Sequence, residues 1–208
     1  MNRLPSDQTP ENQGNSEKVL LTGSLLAASP WAREPNFRNS VCLIVEHGEE
    51  GTVGVVLNRP MELDPKPLMS FLFEGQEQVA MASTDAPMAH FNFGGPNNGP
   101  ILAIHSESAL AEGGNNHGVY LSAQLPTLRQ LAQNSPEHLR WFIGHAAWAK
   151  SQLEQQIVDH HWLLVPAVPE IVFEKEESMW KRAIEFYGDS VLSEFPGVGK
   201  HAQRAAYN

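Results

Sequence analysis

The stretch Leu139 to Pro166, LRWFIGHAAWAKSQLEQQIVDHHWLLVP, decides the fold, because strand, loop, helix and strand signals follow one another in it. Leu139 to Ile143 is a short apolar, aromatic run stopped by Gly144, the pattern of a buried strand. Ser151 with Glu154 three residues on has the spacing of a capping box, so a helix is expected to start near Ser151. Leu153, Ile157 and Val158 share one face of that helix, while Gln152, Glu154, Gln155, Gln156 and Asp159 occupy the others, so it lies on something apolar. Trp162 to Val165 supplies the next strand. A connection of this length suits a parallel, right-handed crossover. Gly144 and Trp148 are expected to join helix to sheet. A side chain at Gly144 would meet strained backbone or a close neighbour, and Trp148 is placed to cover the core at the helix entrance.

Working outward, Val19 to Ala27 reads as a first strand, and Trp31 to Ser40 as a loop with a helical turn around Phe37. Val41 to Glu46 and Thr52 to Asn58, joined through Gly48-Glu49-Glu50-Gly51, read as an antiparallel hairpin. Arg59-Pro60 ends the pairing, since proline has no amide hydrogen to donate. A short apolar segment, Leu68 to Phe73, follows. His90-Phe91-Asn92-Phe93 alternates, which puts both phenylalanines on one face. Gly94 to Pro100 is a loop, Ile101 to His105 a strand and Val119 to Leu121 another. Pro126 opens a helix with Leu128, Leu131 and Ala132 on one side. Ile171 to Phe173 is expected to extend the sheet, and Trp180, Ala183, Ile184 and Tyr187 to line a helix ending at Gly188.

At 208 residues and 41% hydrophobic content the chain can bury one sizeable core. Residues 18–188 are expected to form one domain, residues 1–17 a disordered tail and residues 189–208 a loosely held C-terminal tail. A formal charge of -10 argues against a broad phosphate-binding surface, so direct nucleic-acid binding is not expected. Cys42 is the single cysteine and lies in an apolar run, which excludes an internal disulfide and points to a reducing, cytoplasmic setting. Val19 to Ala32 mimics a secretory signal, but the segment before it lacks a positive excess. No stretch is long and apolar enough for a membrane span.

Nine histidines invite a metal or catalytic reading, yet no set has ligand spacing, so no metal and no cofactor are expected. His160 and His161 are adjacent and would point apart on a helix. His105 ends a strand leaving the Gly94-Gly95 loop, where a side chain can be held rigidly at a mouth between loops. Glu46-His47 supplies an acid and a base, but neighbours on a strand face opposite sides. Gly94-Gly95-Pro96 can present backbone amides to an anion, although it lacks the lysine and serine of a phosphate loop. Asn58 is placed to bond local backbone and Arg59 to pair with a carboxylate. No serine sits in a nucleophile elbow, so no catalytic residue is assigned. Asn58, Arg59, Gly94, Gly95, His105, Gly144 and Trp148 stand as candidate binding residues.

Phe37 to Val41, Glu46-His47, GTVGVVLNRP at 51–60, Gly94-Gly95-Pro96, ILAIH at 101–105, GHAAW at 144–148 and QLE followed by WLLVPA together resemble the AlgH/YqgE family of bacterial proteins. The resemblance spans roughly residues 20–188. It departs from the family pattern at His145, where tyrosine is common, and at Ala149-Lys150-Ser151, where glycine-rich residues are typical. It implies an α+β fold with a mixed sheet curled into a partial barrel, flanked by short helices and containing one strand-helix-strand crossover. Members are described as uncharacterised or as proposed transcriptional regulators, but no helix-turn-helix or basic stripe is present to enter a DNA groove. The residues favour a non-enzymatic protein that binds a protein or small-molecule partner. The alternatives are an enzyme with a small pocket near His105, and a regulator acting through protein partners. Close approach of His105, Asn58 and Glu46 around one cavity would favour the enzyme.

Overall fold

The strand that opens the deciding stretch runs straight through the glycine expected to stop it. A computed structural model describes residues 21–32, 34–62, 67, 70, 72, 73 and 91–193. In it β8 extends over Leu139–Trp148. Gly144 takes φ +77°, and a Cβ there would lie 2.7 Å from the Asn97 carbonyl oxygen, so the strand kinks at a point only glycine allows. On either side of the kink the strand has different partners.

Before the kink, β8 pairs parallel with β4 (Phe91–Phe93) and antiparallel with β5 (Asn97–His105), whose first residue, Asn97, reaches past it to His145. Beyond it, Ala146 to Trp148 pairs antiparallel with β3 (Gly51–Val56). β4 wedges into the sheet at this branch. The Gly94 amide donates to the Ile143 carbonyl and the Gly94 carbonyl accepts from the Val56 amide, both at 2.8 Å. Cβ atoms on Gly94 and Gly95 would lie 2.3 and 2.2 Å from the β8 backbone at Gly144 and His145, so two backbones touch where side chains are excluded.

The remaining strands are β1 (Ser24–Ala28), β2 (Val41–Gly48), β6 (Gly113–Gly114), β7 (Tyr120–Ser122) and β9 (Trp162–Pro166). They complete a sheet in the order β6-β7-β5-β8-β3-β2-β1-β9, curled into a half-barrel and antiparallel at every step. From β8 through β3, β2 and β1 to β9 four antiparallel steps make β8 and β9 parallel, so the crossover passes over three intervening strands. The expected β2–β3 hairpin is present, with a bulge between Ile44 and Glu46.

Among the described residues, helices α1 (Leu125–Asn134), α2 (Gln152–Val158), α3 (Pro169–Val172) and α4 (Glu176–Ser193) pack on the sheet. Alternation along β1 sets the layers. Leu25 and Ala27 join Ile171 and Val172 of α3 and Met179 and Ala183 of α4 in one cluster, while Leu26 and Ala28 join Leu153 of α2 in another. The expected face of α1, Leu128, Leu131 and Ala132, packs on Phe91, Ala103 and Trp141. The seven-residue α2 is too short to hold by propensity alone. Burial of Leu153, worth about 1.5–3 kcal/mol, fastens it.

Several expectations are corrected. Ser151 does not cap α2 through its side chain: it sits at φ +60°, and the Gln152 side chain instead accepts from the Ala149 amide at 2.9 Å. Residues 171 and 172 lie in a helix rather than a strand, because Pro169 at the first turn presets helical φ and the chain bonds locally to Val168 and Pro169. The last helix continues past Gly188, where a side chain would meet open space, to Ser193. The phenylalanines of β4 do not share a buried face: Phe91 and Asn92 are buried and Phe93 is 45% exposed, since Asn92 faces Glu176 of α4. The loop expected at 94–100 is short, and β5 begins at Asn97 with an irregular register. Of the expected tails, 1–17 lies outside the described residues, as do 194–208 of the C-terminal tail expected at 189–208, whose first residues, 189–193, belong to α4.

Candidate functional site

Three aromatic rings meet where α2 crosses the end of β8. Phe37 stacks on Trp148 with centroids 5.9 Å apart, and Trp162 meets Phe37 at 5.4 Å and Trp148 at 6.0 Å edge-on. Both indole N–H groups, of Trp148 and Trp162, donate to Gln156 Oε1 at 3.0 Å. A carbonyl oxygen has two lone pairs, and here both are used. The three rings and the amide therefore fix one another.

Two segments rise beside this cluster. The first is the β1–β2 connection, in which Ser29 donates its amide to the His161 carbonyl at 2.9 Å and Ala32 closes a turn onto the Ser29 carbonyl at 2.9 Å. Its far end is gripped by Asn58 and Arg59. Asn58 accepts from the Val41 amide at 2.9 Å and donates to the Asn39 carbonyl at 2.8 Å, holding Asn39 at φ +56°. Arg59 donates to the Arg38 carbonyl and to Ser40 Oγ at 2.9 Å, so among the described residues its partners are backbone and hydroxyl rather than the expected carboxylate. The second segment is the end of α2, where His160 at φ +56° lets the His160 and His161 amides turn back onto the Ile157 and Gln156 carbonyls.

Between these segments lies a cavity of about 480 Å³, lined by Trp31, Glu34, Phe37, Asp159, His160, His161, Trp162 and their neighbours. That volume is in the range of small-molecule sites. Trp31 is 82% exposed, although its turn is pinned by backbone bonds. An indole held in water by an ordered turn is costly for a fold and useful for contact.

The other sequence candidates fall elsewhere. His105 is fully buried. Ser122 Oγ donates to the Leu110 carbonyl at 2.6 Å and so accepts from His105 Nε2–H at 2.9 Å, while His105 Nδ1 accepts from the Glu107 amide at 3.2 Å. The ring is satisfied as the neutral Nε2–H tautomer, and burial pushes its pKa below the ordinary value against the pull of Glu107 and Glu112. Among the described residues, His105, Asn58 and the exposed Glu46 have no partner in common. Gly94, Gly95 and Gly144 meet at the sheet branch. Trp148 alone of the seven belongs to the aromatic cluster itself, while Asn58 and Arg59 support the loop above it.

His47 makes a contact the spacing does not show. Its Nδ1 lies 2.8 Å from Thr52 Oγ1 and its Nε2 3.8 Å from Glu154 Oε1, the outline of a hydroxyl, imidazole and acid relay. Thr52 is only 3% exposed, so its hydroxyl has no access to a substrate. Cys42 is buried, and desolvation pushes its thiol far up, away from the reactive thiolate. Among the described residues no three His, Cys, Asp or Glu side chains converge on a metal position. The pocket residues Trp31, Glu34, Asp159 and Trp162 were not singled out by sequence reasoning. The available signal was an indole inside a polar, proline-flanked loop, Ser29-Pro30-Trp31.

The geometry defines an α+β half-barrel protein with an aromatic surface pocket. The AlgH-like family model, DUF179, matches residues 25–191, and the chain belongs to that family. It is 30% identical to a UPF0301 protein of Ruegeria pomeroyi, over 83% of this chain and 94% of the relative. A UPF0301 protein of Chlorobium luteolum is 32% identical, with 84% and 89% covered. The solution structure of AlgH from Pseudomonas aeruginosa is 26% identical and superposes with TM-score 0.63 over 88% of this chain and 97% of its own. A crystal structure of a Corynebacterium diphtheriae protein at 23% identity shares the fold, with TM-score 0.58 over 78% of this chain and 84% of its own.

Proposed function

We propose that this AlgH-like protein is a non-enzymatic, cytoplasmic binding protein whose ligand seats between the β1–β2 connection and the end of α2. One observation carries the reading: Trp31 stands 82% exposed at the rim of a cavity of about 480 Å³ whose wall includes Phe37 and Trp162 of the fixed aromatic cluster. Rigid aromatic walls contribute contact area without losing side-chain freedom on binding, so the site is built for recognition. The enzyme alternative finds less support, since His105 is internally satisfied and Thr52 and Cys42 are buried. Any regulatory role, the description attached to the resembling family, runs through such a partner rather than through DNA, because the net charge of -10 opposes phosphate contact.

The test is a thermal-shift screen against metabolites and peptides, run on the wild type and on Trp31→Ala. A ligand that binds only the native state at a hundred times its Kd stabilises it by about 2.7 kcal/mol. The screen is expected to give ligands whose shift disappears in Trp31→Ala while the variant's own midpoint stays near the wild type's. Ligands that stabilise both proteins equally place binding elsewhere and defeat this reading.

A further inference from the structure

We infer that the pocket takes an organic cation, an ammonium or guanidinium group on a small apolar body; this rests on the binding reading above and specifies its ligand. Three features of the wall point the same way. The rings of Trp31, Phe37 and Trp162 offer π surface, and the electron-rich faces of indoles are the preferred platforms for alkylated ammonium groups. The Trp162 indole N–H, like that of Trp148 behind it, is consumed by Gln156 Oε1, so Trp162 offers a ligand no free donor. An anion would lose that donor.

Among the described residues on the rim, the side chains of fixed charge are two carboxylates from opposite walls, Glu34 on the β1–β2 connection and Asp159 at the end of α2. Asp159 is oriented by the Gln155 amide, which donates to Oδ1 at 3.0 Å. Gln156, Asp159, His160 and His161 line the cavity from the carboxyl end of α2. His160 and His161 also face the cavity and oppose a cation only when protonated. The whole chain carries -10, which draws cations toward it from solution. Among the described lining residues an anion would meet no side chain of fixed positive charge, only the two imidazoles and the neutral N–H groups of Trp31 and Gln156.

Binding is read from tryptophan fluorescence of the full chain at about pH 8, where an ordinary imidazole is neutral. The probes are choline, its neutral carbon isostere dimethylbutanol, inorganic phosphate, and a short peptide carrying one arginine. Choline is expected to bind about tenfold more tightly than the isostere. Glu34→Gln and Asp159→Asn, both at exposed positions, are each expected to weaken choline by about two- to fivefold and to leave the isostere unchanged. A tighter arginine peptide assigns the cation to a partner protein's side chain, and tighter choline to a free small molecule. Equal binding of choline and the isostere, or phosphate binding that His160→Gln abolishes, overturns the cation assignment and leaves the pocket reading standing. If no probe perturbs Trp31 but a screened ligand does, the cation assignment alone fails. If nothing perturbs Trp31, both fail.

Discussion

His105 shows how a residue that looks functional in a sequence can be spent entirely on structure. Its two ring nitrogens are matched by Ser122 and the Glu107 amide, and desolvation holds its pKa below the ordinary value of about 6.5. The unfolded chain therefore binds a proton there before the folded one does as pH falls. Stability from this site is fully present above about pH 6.5 and is lost as pH drops from there toward the folded value. His105→Gln keeps a donor for Ser122 but cannot titrate. Urea melts across this range should show the wild type's advantage over His105→Gln shrinking as the buffer is acidified; an advantage that grows on acidification contradicts the neutral assignment. Trp148 was legible as a buried anchor, since a large aromatic at the end of an apolar run has few other uses, and it is 4% exposed. Its truncation to alanine should cost about 3–5 kcal/mol in chemical denaturation. Trp31 was not legible, because nothing local distinguishes an indole that packs from one that is held out in water.

At the scale of elements, the crossover of the deciding stretch was readable from periodicity and length, whereas the partner switch of β8 was not. Register and branching depend on which backbone passes close by, and Gly94, Gly95 and Gly144 report that only as isolated glycines in a sequence. The same holds for Arg140, which reads as an interruption in an apolar strand. In the fold its guanidinium donates to the Leu57 carbonyl at 3.2 Å and to the Glu174 carbonyl, and lies 3.4 Å from Glu176 Oε1, tying β8 to α4. Burial lowers its pKa while Glu176, Glu174 and Glu177 support the charge. Removing one partner of such a group strands the other, so Arg140→Ala should destabilise by about 3–5 kcal/mol. Arg140→Lys keeps the charge but not the fork of donors and should recover only part of that loss. Full recovery by lysine would show that charge alone, not the bonds to two carbonyls, fastens α4.

For the molecule as a whole, the half-barrel follows from a sheet whose central strand changes partners at a glycine kink, with helices closing its faces. No helix among the described residues is long and apolar enough to cross a membrane. The pocket arises at the seam between two connections, β1 to β2 and α2 to β9, which is why neither segment alone announced it. Backbone and side-chain amide mapping by NMR on ligand addition tests the central claim most directly, because it locates binding without mutation. A ligand from the screen is expected to shift the indole N–H signals of Trp31 and Trp162 and the backbone amides of Asp159 to His161, while the amides at Gly94, Gly95 and Gly144 and those around His105 stay in place. Shifts centred on His105 or on the glycine branch, with Trp31 unmoved, would contradict that claim.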